Sequence, residues 1–249
     1  MMAMTYPRAG VASSTMAVFA HGNSLTAGVG ASSVGNYWPA LASGLAPLLG
    51  KGITISNRGV GGQSIFVDAG NGTMTNTAAA AIDANLVAGK INVLLVLEYT
   101  NELKANGFNA AAAHTALKNY CLARKAAAAS VGKALQIIVG TCPPSGADPT
   151  GGGQTAINSR NAAMIAANAL TRQQYRDYAD VLWDLAEVAP FKAIFAGGVF
   201  TQAPFIAAGV WARSDGVADD YTHFGNSGYA LLAESAARAI ARVRKAAAL

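Results

Sequence analysis

The sequence predicts an α/β protein, a three-layer α/β/α sandwich around a central parallel sheet of about five strands. Three observations predict it. Short apolar runs alternate along the chain with longer stretches that carry apolar residues at helical spacing. The middle runs are apolar throughout, as strands covered on both faces should be. With 249 residues, 52% apolar and 12% charged, the chain has ample material for one large core.

The first strand is MAVFAH (16–21), followed by GITISN (52–57), which alternates and is β-branched. INVLLVLE (91–98), LQIIVGT (135–141) and ADVLWDL (179–185) complete the set. Helical spacing runs through YWPALASGLAPLLG, TNTAAAAIDANLVAG, NAAAAHTALKNYCLARKAAAAS and TAINSRNAAMIAANALTRQQY, each closing near a Gly or a polar break. GNSGYALLAESAARAIARVRKAAAL reads as a final amphipathic helix. This alternation implies parallel strands joined by right-handed crossovers. No repeat and no linker interrupts it. Residues 1–249 therefore read as one domain, with 1–14 set apart as a candidate flexible N-terminal extension.

The bulk numbers exclude several classes. The net charge of +5 comes from 18 basic and 13 acidic residues. The basic ones are scattered except in RAIARVRK, where cations suit the last turns of a helix. No basic face with interleaved aromatics is visible, so no nucleic-acid partner is expected. INVLLVL and APFIAAGVWA are too short to span a bilayer. The N-terminus lacks a clear signal peptide, which makes the cytoplasm the default compartment and leaves export by another route open. Cys121 and Cys142 imply no disulfide framework. The three histidines and two cysteines show no metal-ligand spacing. GLAPLLGKG has one residue too many for a phosphate loop, with Gly52 where Ser or Thr should stand. No G-x-G-x-x-G opens a helix after a strand. No metal and no cofactor is expected.

In parallel sheets of this kind, ligands bind beyond the carboxyl ends of the strands. The first strand runs into Gly22-Asn23-Ser24, the second into Asn57-Arg58-Gly59-Val60-Gly61-Gly62, and the third into Tyr99-Thr100-Asn101-Glu102. The fifth leads through a long apolar segment to Asp219, Asp220 and His223. A serine, glycines, an Asn and an Asp/His pair on one edge form the inventory of acyl transfer: nucleophile, oxyanion donors, base and base-orienter. Each has a plainer reading. Ser24 suits a helix N-cap, Asn101 a turn, and Asp-x-x-His a surface turn with a capping Asp. The stretch around Ser24 also departs from the G-x-S-x-G elbow, because Thr26 stands at the second Gly.

These residues, in this order, resemble the SGNH (GDSL) hydrolase family across most of the chain. Its Gly-Asp-Ser-Leu block appears as Gly22-Asn23-Ser24-Leu25, and its Asn-x-x-x-x-Gly turn as Asn57 to Gly62. Gly-x-Asn-Asp appears in altered form as Tyr99-Thr100-Asn101-Glu102, and Asp-x-x-His as Asp220-Tyr221-Thr222-His223. The resemblance implies the family's flavodoxin-like fold, with Ser24 as nucleophile, His223 as base and Asp220, not Asp219, as its partner. It implies an oxyanion hole from the backbone N–H groups of Ser24 and Gly62 and the side-chain amide of Asn101.

Two departures stand out. Asn23 replaces an Asp, keeping an acceptor, gaining a donor and losing the charge, and is expected to act locally beside Ser24. Tyr99 and Glu102 replace Gly and Asp. Tyr99 is expected to narrow the mouth of the site, and Glu102 reads as a solvated acid at a helix start. Asn23, Tyr99 and Trp211 are the candidate substrate-facing residues. His21 is a candidate lining residue, while His114 reads as structural. Residues 186–218, with Phe191, Phe195, Phe200, Phe205, Ile206 and Trp211, read equally as an apolar wall for substrate or as an extra helix on the core.

The expected function is a serine esterase that hydrolyses small carboxylic esters of short acyl chain through an acyl-enzyme. One alternative is a carbohydrate O-acetyl esterase, with a shallow polar cleft and Trp38 or Trp211 as stacking platforms. Another is a non-catalytic binding or virion module, supported by the altered first and third blocks. The expected partner is a small ester or an acetylated glycan.

Overall fold

The computed structural model describes residues 15–45, 52–66, 72–75 and 77–246. The extension at 1–14 and most of GLAPLLGKG lie outside the described residues. Five strands, β1 (Met16–Gly22), β2 (Ile53–Asn57), β3 (Ile91–Leu97), β4 (Leu135–Gly140) and β5 (Val181–Trp183), pair in parallel in the order β2-β1-β3-β4-β5. The order explains the patterns. Every residue of β1 is buried, and so is all of β3 after Ile91, because both strands lie inside the sheet under helices. β2 sits at an edge and keeps its alternation.

The helices are α1 (Ser24–Ala27), α2 (Trp38–Gly44), α3 (Thr77–Ala84), α4 (Thr100–Ala105), α5 (Ala110–Ser130), α6 (Gly153–Gln174), α7 (Ala189–Gly197), α8 (Gln202–Ala208) and α9 (Asn226–Ala246). α2 and α9 pack together on one face of the sheet, and α3, α5 and α6 pack in sequence on the other. α5 begins where the Asn109 side chain accepts the Ala112 N–H. It then buries Ala113, Leu117, Tyr120 and Cys121 at spacings of three and four.

The sheet order creates the site. From β1 the chain crosses to β2 on one side and later to β3 on the other, so a crevice opens between the ends of β1 and β3. Their register places Gly22 opposite Leu97. The segments that begin at Asn23 and Glu98 therefore leave the sheet side by side.

Between β5 and α9 the rings of Phe191, Phe205 and Trp211 belong to the core, whereas Ile206 is exposed. Trp211 is 1% exposed, with its ring 4.7 Å from Phe205, 5.5 Å from Phe191 and 5.4 Å from Phe224. Phe224 follows His223, so this cluster anchors the loop that carries the histidine. A wall for substrate is not what these rings form, and Trp211 does not face substrate. Trp38 is likewise fully buried, against Trp183. Trp211→Ala is expected to lower stability by about 3–5 kcal/mol, read as a fall in the thermal midpoint. A substrate wall would instead raise KM and leave the midpoint in place.

Candidate active site

Ser24 is the first residue of α1, and the cap is Asn23, whose side-chain oxygen accepts the Leu25 N–H at 2.9 Å. That division of labour frees the serine hydroxyl. Ser24 Oγ lies 2.8 Å from His223 Nε2, and His223 Nδ1 lies 2.6 Å from Asp220 Oδ2. The Asp-x-x-His stretch closes on itself through a turn. Tyr221 takes a left-handed φ of 54°, and Asp220 Oδ1 accepts the N–H groups of Thr222 (2.9 Å) and His223 (2.8 Å). A non-glycine residue in that region costs about 1–3 kcal/mol, which the surrounding bonds must outweigh. Burial opposes the Asp220 charge, but the His223 side chain and the two backbone donors outweigh it and hold the carboxyl well below the usual range. Asp219 is turned elsewhere and accepts the Arg213 N–H at 2.7 Å.

The second-block loop is shaped for close approach. Asn57 Oδ1 accepts the Gly59 N–H at 2.9 Å, and a Cβ on Gly59 would stand 2.4 Å from the Ala27 nitrogen. Gly62 has φ 75°, which its lack of a side chain permits. Asn101 donates through Nδ2 to the Gln63 carbonyl at 2.9 Å, which fixes its amide and leaves the second amide hydrogen to donate. Among the described residues, the backbone N–H groups of Ser24 and Gly62 have no partner. Ser24, Gly62, Asn101 and His223 line one cleft of about 350 Å³. Such an arrangement can receive an ester carbonyl, with donors on its oxygen and a hydroxyl–imidazole–carboxylate line beside it. No group of three or more His, Cys, Asp or Glu among the described residues is placed to hold a metal ion.

The model of the GDSL-like lipase/acylhydrolase family matches residues 20–231. The chain belongs to this family. It is a carboxylic ester hydrolase. No curated protein matches it. Among solved structures, a proposed arylesterase from Agrobacterium tumefaciens is 19% identical with a TM-score of 0.63, over 93% of this chain and 99% of that one. An aryl esterase from M. smegmatis is 17% identical, TM-score 0.55, over 93% and 99%. A carbohydrate acetylesterase from Sinorhizobium meliloti is 15% identical, TM-score 0.56, over 92% and 100%. These likenesses establish the shared fold.

Against the GDSL-like pattern, the departures prove to be structural. Tyr99 does not narrow the mouth. It is fully buried, its hydroxyl 2.5 Å from Thr171 Oγ1 of α6, because the interior supplies both an apolar pocket and a partner. Glu102 is not solvated. It is 1% exposed and accepts the N–H groups of Ile65 (2.6 Å) and Phe66 (3.1 Å), tying down the chain just after Gly62. Asn23 is 1% exposed and does not face substrate. His21 does not line the cleft either. It is buried with Nδ1 2.5 Å from the Tyr120 hydroxyl, and burial pushes its pKa down to about 3, so it stays neutral. His114 packs against Tyr178.

The residue that sequence reasoning missed is Glu98. Its Oε1 accepts the N–H groups of Asn101 (2.7 Å) and Glu102 (3.0 Å), and its Oε2 accepts from Asn23 Nδ2. One buried carboxyl thus joins the nucleophile segment to the Asn101 segment. The signal was present: an acid closing a continuously apolar strand, beside a block that had lost its own acid. Arg213 was also missed. It pairs with Asp215 and donates to Asp220 Oδ2 at 2.6 Å, the oxygen that faces His223.

Asn23 and Glu98 are expected to behave as one unit. At about pH 9, Asn23→Asp opposes two buried carboxylates, and Glu98→Gln sets one amide NH2 against another. The double variant restores a donor–acceptor pair with the roles exchanged. It should recover most of the thermal midpoint and of the ester hydrolysis, with a coupling of about 1–3 kcal/mol. Strict additivity of the two single variants would refute the pairing.

Burial pushes the Glu98 carboxyl up to about 8, against the pull of its three donors. The folded protein keeps that proton up to about pH 8, whereas the unfolded chain releases it near the ordinary 4.5. The contribution to stability is therefore full below about 4.5 and is lost as pH rises through about 8. Urea midpoints measured from pH 5 to 9 should fall more steeply with pH for the wild type than for Glu98→Gln.

Proposed function

We propose that this protein hydrolyses small carboxylic esters through an acyl-enzyme on Ser24. The observation that carries the reading is the unbroken line from Ser24 Oγ to His223 Nε2 (2.8 Å) and from His223 Nδ1 to Asp220 (2.6 Å), at the edge of a cleft lined by unpartnered backbone N–H groups. Ser24 Oγ attacks the ester carbonyl as His223 Nε2 takes its proton. The oxyanion is received by the N–H groups of Ser24 and Gly62 and the Asn101 amide. The intermediate collapses, and the imidazolium returns its proton to the leaving alcohol. Water then attacks the acyl-enzyme by the same proton path and releases the acid. Asp220 holds the imidazole in its tautomer and stabilises its charged form. A cleft of about 350 Å³ lies at the small end of ligand sites and supports small esters.

The polar lining of the cleft also suits a sugar-bound acetyl group, the substrate type named for the Sinorhizobium meliloti structure. Stacking does not support that second reading, because Trp38 and Trp211 are buried and, among the described residues, no Trp, Tyr or Phe lines the cleft. Relative rates on acetyl, butyryl and hexanoyl esters and on an acetylated glycan separate the two.

Ser24→Ala is expected to reduce turnover of a chromogenic acetyl or butyryl ester by several powers of ten with an unchanged thermal midpoint. A folded variant with wild-type turnover would overturn the proposal.

A further inference from the structure

The cleft holds two cations that the hydrolytic chemistry does not use. Arg160, on α6, is 4% exposed yet contributes to the cleft lining. Its Nη2 donates to the Ser145 hydroxyl and the Ala147 carbonyl, both neutral. Among the described residues no carboxylate forms a salt bridge with it, and its buried Nε has no hydrogen-bond partner. Burial pushes its pKa down to about 10, so it remains charged at neutral pH. Lys104, exposed at the last turn of α4, lines the same cleft and forms no ion pair among the described residues. The one acid in the lining that is not part of the Ser24–His223 line is Asp148. Its carboxylate is taken up by the N–H groups of Thr150, Gly151 and Gly153. Asp148 and Asp220 support the Arg160 charge from beyond salt-bridge distance, and a guanidinium that has lost most of its water with no carboxylate in contact is costly until an anion reaches it.

Resting on the esterase reading above, we infer that the cleft selects esters that carry a second, free carboxylate, which the Arg160 guanidinium and the Lys104 ammonium receive. Arg160 offers planar N–H donors that match a carboxylate, while Lys104 adds an exposed point charge at the entrance. The Arg160 end is also coupled to the reacting end. Ser145 Oγ, which accepts from Arg160, lies 2.5 Å from the Thr222 hydroxyl beside His223. The net charge of +5 favours encounter with anionic substrates at low salt.

The test uses two isosteric pairs on the full chain. 4-Acetoxybenzoate against 4-acetoxybenzamide places the charge on the alcohol side, and 4-nitrophenyl hydrogen adipate against its adipamate places it on the acyl side. Each kcat/KM is divided by the hydroxide rate of the same ester. The anionic member of at least one pair should be favoured about tenfold or more at low salt, with the preference shrinking as salt screens it. Lys104→Gln, an exposed change that spares the fold, and Arg160→Gln should each lower the anionic-to-neutral ratio several-fold. The inference is overturned if neither pair favours its anion, or if the preference survives both substitutions. Loss of neutral-ester turnover in Ser24→Ala would leave the esterase reading standing in either case, so the two can fail separately.

Discussion

The site depends on one buried carboxyl. Parallel pairing of β1 with β3 brings Gly22 level with Leu97, so the two chains leave the sheet with Asn23 beside Glu98. A charged or polar group at that depth must be fully bonded. Glu98 meets the condition with three donors, two of them the Asn101 and Glu102 backbone N–H groups in the first turn of α4 and the third the Asn23 side chain. Ser24 and Asn101 each sit next to one of these contacts. The spacing between the hydroxyl and the amide across the crevice is therefore set through Glu98 rather than by either loop alone. The departure in the first block follows from this acid: with an acid at 98, an Asp at 23 would bring two carboxyls together, and Asn supplies the missing donor.

The histidine is held from the opposite side by different means. Trp211, Phe191, Phe205 and Phe224 form a cluster under the loop, and Tyr229 near the start of α9 packs its ring on Phe224 and donates its hydroxyl to the Val29 carbonyl at 2.7 Å. Ser214 N–H donates to the Gly30 carbonyl at 2.8 Å. Both bonds join the segment after α1 to the segment around Asp220. Apolar packing sets where the loop sits, and directional bonds set how the imidazole is turned, which is the combination a proton-transfer distance of 2.8 Å requires.

Much of this was legible from residues alone. Continuous apolar runs marked the buried strands, and the polar residues just beyond their ends marked the crevice, because in a parallel sheet both follow from the same geometry. Ser24, the glycines after β2, Asn101, Asp219, Asp220 and His223 were noted that way, the family resemblance chose Gly62 and Asp220 among them, and the structure brings Ser24, Gly62, Asn101 and His223 to one cleft with Asp220 behind the histidine. The direction of individual side chains was not legible. Tyr99 and Glu102 follow the strand as directly as Asn101 does, yet both turn inward, since Thr171 and the 65–66 backbone wait for them there. Those partners lie 72 and about 37 residues away, beyond the reach of any spacing rule. Arg160 and Arg213 were passed over for the same reason. An arginine reads as surface until the fold shows what buries it.

Glu98 and Asp220, the two acids that support the site, are driven in opposite directions, and this separates their tasks. Glu98 is surrounded by core, and burial dominates its three donors, leaving a carboxyl that titrates near 8. Asp220 is half-buried at the cleft edge, where His223 and two backbone N–H groups overcome burial and keep it ionised. Arg213 shares the Oδ2 atom with His223, so that oxygen carries two donors already. A carboxylate so occupied is a poor acceptor for a third proton, which suits a group that orients and stabilises an imidazolium without taking its proton. A carboxyl like Glu98, able to gain or lose a proton near neutrality, would be a poor choice there, because its charge would vanish when the imidazolium most needs it. The fold therefore places the proton-holding acid behind the strand ends and the charge-holding acid on the histidine, and environment alone distinguishes them.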